Sequence, residues 1–284
     1  MDCSAVLLID CPDRRGLVAR VASLLYEHGA NILHADQHED HVPGMFFMRV
    51  EFAPDPAGPG LAEIERAFAT LARELEMNWS LTSREKKLRV ALFCSHYLHC
   101  MADLLERWRS GELECEIPVI VSNHHEVESL AGFYGIPFEH IPVTAATREA
   151  VEMRQIALMG EHRIDLIVLA RYMQVLSPVF VAEYPAQIIN VHHSFLPAFT
   201  GARPYHAAYT RGVKLIGATS HYVTEVLDDG PIIEQDVARI SHRDQVEDLV
   251  ARGRDLERVV LSRAVRWHLD RRILCYGNKT VVFD

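Results

Sequence analysis

The chain contains no run of roughly 20 apolar residues, so no stretch of it reads as a bilayer-spanning helix. Basic charge is also scarce. Its 29 Lys and Arg stand against 39 Asp and Glu, a formal net charge of −10. Broad contact with nucleic acid needs a basic surface and is disfavoured. No C-x-x-C pair occurs among Cys3, Cys11, Cys94, Cys100, Cys115 and Cys275, which are scattered along the 284 residues. That usage reads as reduced thiols in a cytoplasmic protein. No neighbour suited to lowering a thiol pKa stands beside them, which disfavours a cysteine nucleophile. Met1 to Leu8 lack a basic stretch ahead of an apolar one, so no secretory leader is expected. There is no internal repeat and no low-complexity tract.

The rest is the composition of a soluble globular protein, 49% hydrophobic and 24% charged. The length suffices for one large or two ordinary domains. The first segment reads β-α-β-β-α-β, starting with an apolar strand over Ala5–Ile9 and the turn Cys11–Gly16. Leu17, Val18, Val21, Leu24 and Leu25 then recur at helical spacing, and Gly29 stops that helix. Strands are expected over Ile32–His38 and Met45–Phe52, a loop over Ala53–Gly60, a second helix over Leu61–Leu75 and a closing strand over Trp79–Leu81. The order matches the ferredoxin-like split βαβ. Thr82–Lys87 is polar and reads as a linker.

Beyond it, strand and helix alternate. Strands are expected over Leu88–Phe93, Ile117–Val121, Leu166–Ala170, Ile188–Val191, Leu215–Val223 and Ile232–Val237. Helices are expected over Cys100–Arg109, Val127–Tyr134, Arg148–Met159, Pro178–Tyr184 and Tyr205–Arg211, with a long one over Asp244–Leu269. Near-continuous apolar runs such as Leu166–Leu169 point to strands covered on both faces, and so to a mostly parallel, Rossmann-like α/β sheet.

Ligands in such sheets bind where the strands end. There the chain places Asn190-Val191-His192-His193-Ser194-Phe195-Leu196-Pro197 and, downstream, His221 and Asp228-Asp229-Gly230-Pro231. Asn190 and His192 are two apart on a strand and share a face. His193 points the other way and reads as structural or as a support behind the site residues. Asp228-Asp229-Gly230 is a turn in which one carboxylate can define the turn while the other, Asp228, faces the cleft. An amide, an imidazole and a carboxylate together can activate a water or an amine and hold an oxyanion. His192, His193, His221 and Asp228 are also metal-ligand types. Adjacent strand histidines diverge, however, and no H-x-x-x-H helix is present. The turn Cys94–Cys100 lacks the glycines that bring backbone N–H groups to a phosphate. Ser95, His96 and His99 are its remaining anion-binding types.

These residues resemble a known family. Asn190-x-His192, Ser194-x-Leu196-Pro197, Gly217-x-Thr219-x-His221-x-Val223 and Asp228-x-Gly230-x-Ile232-Ile233-x-Gln235 are similar to the formyltransferases that use 10-formyltetrahydrofolate. His193–Phe199, Gly201–His206, Gly230–Asp236, Asp10–Val18, Asp36–His38, Ser122–His124 and Gly277–Phe283 resemble the formyltetrahydrofolate deformylases more narrowly. The resemblance implies an N-terminal ferredoxin-like ACT domain over residues 1–83, a linker over 84–87 and a formyltransferase-like catalytic domain over 88–284. It implies catalysis by Asn190, His192 and Asp228, and a pterin pocket along Met173–Leu176 and Val223–Leu227, with Met173, Gln174, Val175, Leu176, Val223, Glu225 and Leu227 as its binding residues. It implies hydrolysis of 10-formyltetrahydrofolate to formate and tetrahydrofolate, feeding purine synthesis and balancing the folate pool. No metal and no cofactor beyond the folate substrate are expected. An amino-acid effector at the ACT domain, a homo-oligomer and a cytoplasmic location are expected too. His96 stands where deformylases usually carry a Lys.

A related chemistry passes the formyl group to an amine such as glycinamide ribonucleotide. The glycine-free turn disfavours a phosphorylated acceptor. A tRNA-directed formyltransferase is disfavoured by the net charge. A regulatory binder with a catalytically dead second domain would not need an intact Asn190, His192 and Asp228. Phe195, Phe199 and Tyr205 are expected to narrow the acceptor side.

Overall fold

The computed structural model describes residues 4–198 and 204–284. Cys3, Phe199, Gly201, Ala202 and Arg203 therefore lie outside the described residues. The chain divides into two compact units: residues up to 87 with 271–276 and 281–284, and residues 88–270 with 277–280.

The first unit runs β1 (Ala5–Pro12), α1 (Leu17–Glu27), β2 (Asn31–Asp40), β3 (Met45–Ala53), α2 (Leu61–Glu74) and β4 (Asn78–Ser83). Its antiparallel sheet has the order β2-β3-β1-β4. Leu7 and Ile9 of β1 face one side, with Val21 and Leu25 of α1 and Ile64 and Phe68 of α2 in one core. Leu8 faces the other side. There the end of the chain forms β12 (Ile273–Tyr276) and β13 (Lys279–Val282); Leu274 of β12 and Phe283, just past β13, bury Phe47 of β3. Covering both faces explains why Ala5–Ile9 is an unbroken apolar run rather than an alternating one. A fully buried side chain such as Phe47 contributes about 1.5–3 kcal/mol over an exposed one.

The second unit runs β5 (Leu88–Cys94), α3 (His99–Arg109), β6 (Cys115–Ser122), α4 (Glu128–Tyr134), β7 (Phe138–His140), α5 (Arg148–Glu161) and β8 (Leu166–Leu169). It continues α6 (Pro178–Glu183), β9 (Ile188–His192), α7 (Pro204–Arg211), β10 (Leu215–Tyr222), β11 (Ile232–Arg239) and α8 (Val246–Leu269). The sheet order is β11-β10-β9-β8-β5-β6-β7. Strands β5 to β9 pair in parallel, while β10 and β11 pair antiparallel. From β5 the chain steps out through β6 and β7, then crosses back to place β8 on the other side of β5. That reversal opens a crevice at the carboxyl ends of β5 and β8. Leu166–Leu169 is fully buried, as expected of a strand with helices on both faces. Strand β7 goes unread in the sequence because 3 residues after Pro137 show no alternation.

Ser95 joins the ends of β5 and β8. Its hydroxyl donates to Asn123 Oδ1 at 2.7 Å and accepts from the Met173 N–H at 3.0 Å. The segment after β8 is held further on. Glu152 of α5 accepts from the Ser177 N–H at 3.0 Å, and Arg148 donates to the Val175 carbonyl. Residues 173–177 are thereby a fixed wall rather than a free loop.

Candidate active site

Strand β9 carries Asn190 and His192 on one face, and β10 lies antiparallel beside it. The register sets His221 opposite Asn190 and Thr219 opposite His192. Directly opposed residues share a sheet face, so the amide and two imidazoles are gathered by backbone pairing alone. His221 Nδ1 lies 2.9 Å from the Tyr222 carbonyl and donates to it. Its Nε2 is then left as an acceptor, 3.3 Å from Asn190 Nδ2. Burial keeps the His221 pKa below its ordinary value, against the raising effects of that carbonyl and of Asp228, so the ring is neutral near pH 7. One amide proton of Asn190 is engaged in this way and the second remains for a ligand.

Asp228 enters from the loop after β10. Its Oδ2 lies 3.3 Å from His192 Nδ1 and its Oδ1 3.9 Å from His221 Nε2. Burial pushes the Asp228 carboxyl up. The His192 hydrogen bond and the surrounding imidazole charges outweigh this and hold it below the ordinary carboxylate range. It is a base-form carboxylate at neutral pH, bracketed by two rings. His192 is buried, and its Nε2 has no hydrogen-bond partner among the described residues. A buried ring nitrogen left unpaired inside a polar cluster suits a group that bonds only when substrate is present.

The loop is tightly made. A Cβ on Gly230 would stand 1.8 Å from the Tyr222 carbonyl oxygen, so only glycine passes there. Gly230→Ala is expected to lower Tm by roughly 3–8 °C and kcat at least about tenfold, because Asp228 two residues away must move. Differential scanning fluorimetry and steady-state rates check both; wild-type values in each would show that the loop tolerates the methyl.

The motif residues around His192 act through the backbone. Thr219 Oγ1 donates to the Ser194 carbonyl at 2.8 Å and accepts from the Leu196 N–H at 3.1 Å. Gln235 Nε2 reaches the Leu196 carbonyl at 3.1 Å. Leu196-Pro197 is a cis peptide.

Asn190, His192 and Asp228 line one cavity of about 240 Å³ together with Met173, Gln174, Val175, Leu176, Val223, Glu225 and Leu227. One water needs only about 10–15 Å³ by this measure, so a ring system and a water fit side by side. Met173, Val175, Val226 and Leu227 are exposed apolar side chains around the opening, a cost that bound ligand relieves. Thr224 and Val226, inside the expected Val223–Leu227 stretch, line the same space, as do Arg171, His193 and His221, which are not among the expected pocket or catalytic residues. For His221 the missing signal is the β9–β10 register. His193 lines this cavity and a second, apolar one with Phe195 and Tyr205. Phe195 and Tyr205 therefore flank a neighbouring space instead of the one holding Asn190.

His96 and His99 do not present a free anion site. His96 Nδ1 lies 2.6 Å from Glu126, and His99 Nε2 lies 2.8 Å from Glu257. Glu257 is buried in α8, where it also accepts from the Tyr205 hydroxyl at 2.7 Å and sits 3.3 Å from Arg171 Nε. Burial raises its pKa, and these donors more than offset that and keep it ionised. Ligand-type atoms come within 4.8 Å of one another in His96, His124 and Glu126, and in His99, Cys100 and Glu257. Neither set includes His192, His221 or Asp228. Cys94 and Cys100 are poor nucleophiles: burial pushes the Cys94 thiol up to about 12 and Cys100 well above its ordinary value. Among the described residues no helix is long and apolar enough to cross a membrane.

The family model described as Formyl transferase matches residues 88–265, and that described as ACT domain matches residues 5–69. Over 280 residues the chain is 52% identical to the formyltetrahydrofolate deformylase of Synechocystis sp., covering 99% of this chain and 98% of that protein. The crystal structure of a formyltetrahydrofolate deformylase from Pseudomonas syringae pv. tomato is similar with a TM-score of 0.96 at 49% identity, covering 100% of this chain and 95% of that one. Glycinamide ribonucleotide transformylase 1 from Symbiobacterium toebii is similar over 70% of this chain and 95% of its own, with a TM-score of 0.66 and 28% identity. The likeness to the transformylase stops at part of the chain. The likeness to the deformylases runs through both units, the cavity and the C-terminal strands alike, and places this chain in the formyltetrahydrofolate deformylase family.

Proposed function

We propose that the chain hydrolyses 10-formyltetrahydrofolate to formate and tetrahydrofolate, with Asn190, His192 and Asp228 as the catalytic residues. The observation that carries this is the meeting of an oriented amide, an imidazole with an unpaired Nε2 and an ionised carboxylate in one cavity. The pterin lies against Met173–Leu176 and Val223–Leu227, which brings the formyl carbon to β9. A water held at Asp228 attacks that carbon, and the proton it sheds passes to the Asp228–His192 pair. The second Nδ2–H of Asn190 and His192 Nε2–H donate to the oxyanion as it forms. Collapse breaks the bond to N10 of the folate, and His192 carries the proton to that nitrogen. Formate leaves for purine synthesis, and the folate pool is rebalanced.

Water is the acceptor, not a phosphorylated amine. Two observations support this: the glycine-free Cys94–Cys100 turn, and the carboxylates of Glu126 and Glu257 that face His96 and His99. A phosphate placed there would meet negative charge. The chemistry needs no metal and no cofactor, because Asn190 and His192 supply the polarising donors. The first unit responds to an amino-acid effector, in a homo-oligomer of this chain in the cytoplasm. Its match to the ACT domain supports the effector role.

The test is formate release from 10-formyltetrahydrofolate in the presence of EDTA and with no amine added. Stoichiometric formate and tetrahydrofolate are expected. Formyl transfer that starts only on adding an amine would move the chain to the transferases, and activity restored only by a divalent ion would overturn the metal-free step.

A further inference from the structure

The stretch Gly277–Phe283 has no part in the reaction above, yet its tip reaches the loop that carries Asp228. Strands β12 and β13 are joined by the two-residue turn Gly277-Asn278, opened by Gly277 at φ 54°, a left-handed conformation that suits glycine. Asn278 Nδ2 donates to the Asp229 carbonyl at 2.7 Å, and Thr280 Oγ1 donates to the Ile232 carbonyl at 2.6 Å. These carbonyls bracket Gly230-Pro231, so the tip grips the loop at two points. All four residues belong to the second unit.

Asp228 needs such a grip. Its φ is 55°, in the left-handed region, where a non-glycine residue stays only if its surroundings hold it. The inner side of the loop is fastened by the Tyr222 N–H to the Pro231 carbonyl at 3.0 Å and by the close approach of Gly230 to Tyr222. The outer side carries the bonds from Asn278 and Thr280. Neither donor lines the cavity, so neither touches substrate.

We propose that Asn278 and Thr280 are positioning residues for Asp228: by pinning the peptide units on its C-terminal side, they direct the carboxylate at His192. The proposal rests on the catalytic reading of Asp228. Both hydrogen bonds are solvent-exposed, so each adds little to global stability. A displacement of about 1 Å at a reacting group, in contrast, costs on the order of 10²-fold in rate. Rate and stability therefore separate.

The experiment uses the full chain with Asn278→Ala, Thr280→Val and Thr280→Ser, each also combined with Asp228→Asn. Asn278→Ala and Thr280→Val are expected to lower kcat about tenfold, with KM within about twofold and Tm within about 3 °C of wild type. Thr280→Ser keeps the hydroxyl and is expected to turn over normally. On the Asp228→Asn background neither removal lowers the residual rate further, because both act through Asp228. Wild-type kcat in Asn278→Ala and Thr280→Val, a change in KM or Tm alone, a Thr280→Ser defect equal to that of Thr280→Val, or full additivity with Asp228→Asn would each overturn the proposal. A fully active Asp228→Asn protein would instead remove the catalytic reading beneath it, and so the two failures are distinguishable.

Discussion

Asp228→Asn is expected to lower kcat by about 10³-fold with little change in Tm. Asparagine matches aspartate in shape and keeps an oxygen for the His192 Nδ1–H, now 3.3 Å from Oδ2. It removes the negative charge, and with it the proposed anchor for an attacking water and the charge beside His192. The wild-type carboxyl is held below its ordinary range, so it is ionised whenever the enzyme works near neutral pH. The variant therefore resembles a protonation state that the native enzyme does not reach under those conditions. Apolar contacts at Met173, Val175 and Leu227 are untouched, which keeps KM within a few-fold. Single-turnover formate release measures the chemical step directly. A rate within tenfold of wild type would take Asp228 out of the mechanism.

Asn190→Ala is expected to lower kcat by about 10²–10³-fold, the usual cost of one oxyanion donor. Its amide is aimed by His221, whose Nδ1 is committed to the Tyr222 carbonyl and whose Nε2 accepts one amide proton. Asn190→Asp is a sharper probe. It turns the donor into an acceptor, places a charge beside the developing oxyanion and beside the Nε2 lone pair of His221, and is expected to lose at least as much as alanine. His192→Ala is expected in the same range, since it removes the proposed proton carrier to the leaving nitrogen. Unchanged kcat in Asn190→Asp would show that the amide does not face the reacting carbonyl.

Other pairings in the site shape how these variants are read. Thr219 and Gln235 hold Leu196, and Ser95 holds Met173. Substitutions there alter the backbone that presents the proposed catalytic groups. They should change kcat and KM together instead of removing one chemical role.

Much of this was legible in the sequence because it is local. Asn190 and His192 are readable as a pair since two residues on a strand point the same way. The helices over Leu17–Glu27 and Val246–Leu269 announce themselves by spacing, and the fully apolar Leu166–Leu169 by its lack of alternation. The family resemblance located Asp228 and the Met173–Leu176 wall. Groups whose partners lie far along the chain were not legible. His221 meets Asn190 across 31 residues through an antiparallel register, and Asn278 meets Asp229 across 49. Glu257 meets His99 across 158. No periodicity records such distances.

Local pattern sets the type and order of the long elements and the residue types that stand at the end of β9, because propensity and burial act between near neighbours; it does not show that residues 271–276 and 281–284 fold back onto the first unit. Only the folded chain sets which imidazole meets Asn190, which ring Asp228 bonds and that Asn278 and Thr280 reach its loop. Those outcomes depend on strand register and chain return, where a one-residue slip would send every side chain to the opposite face.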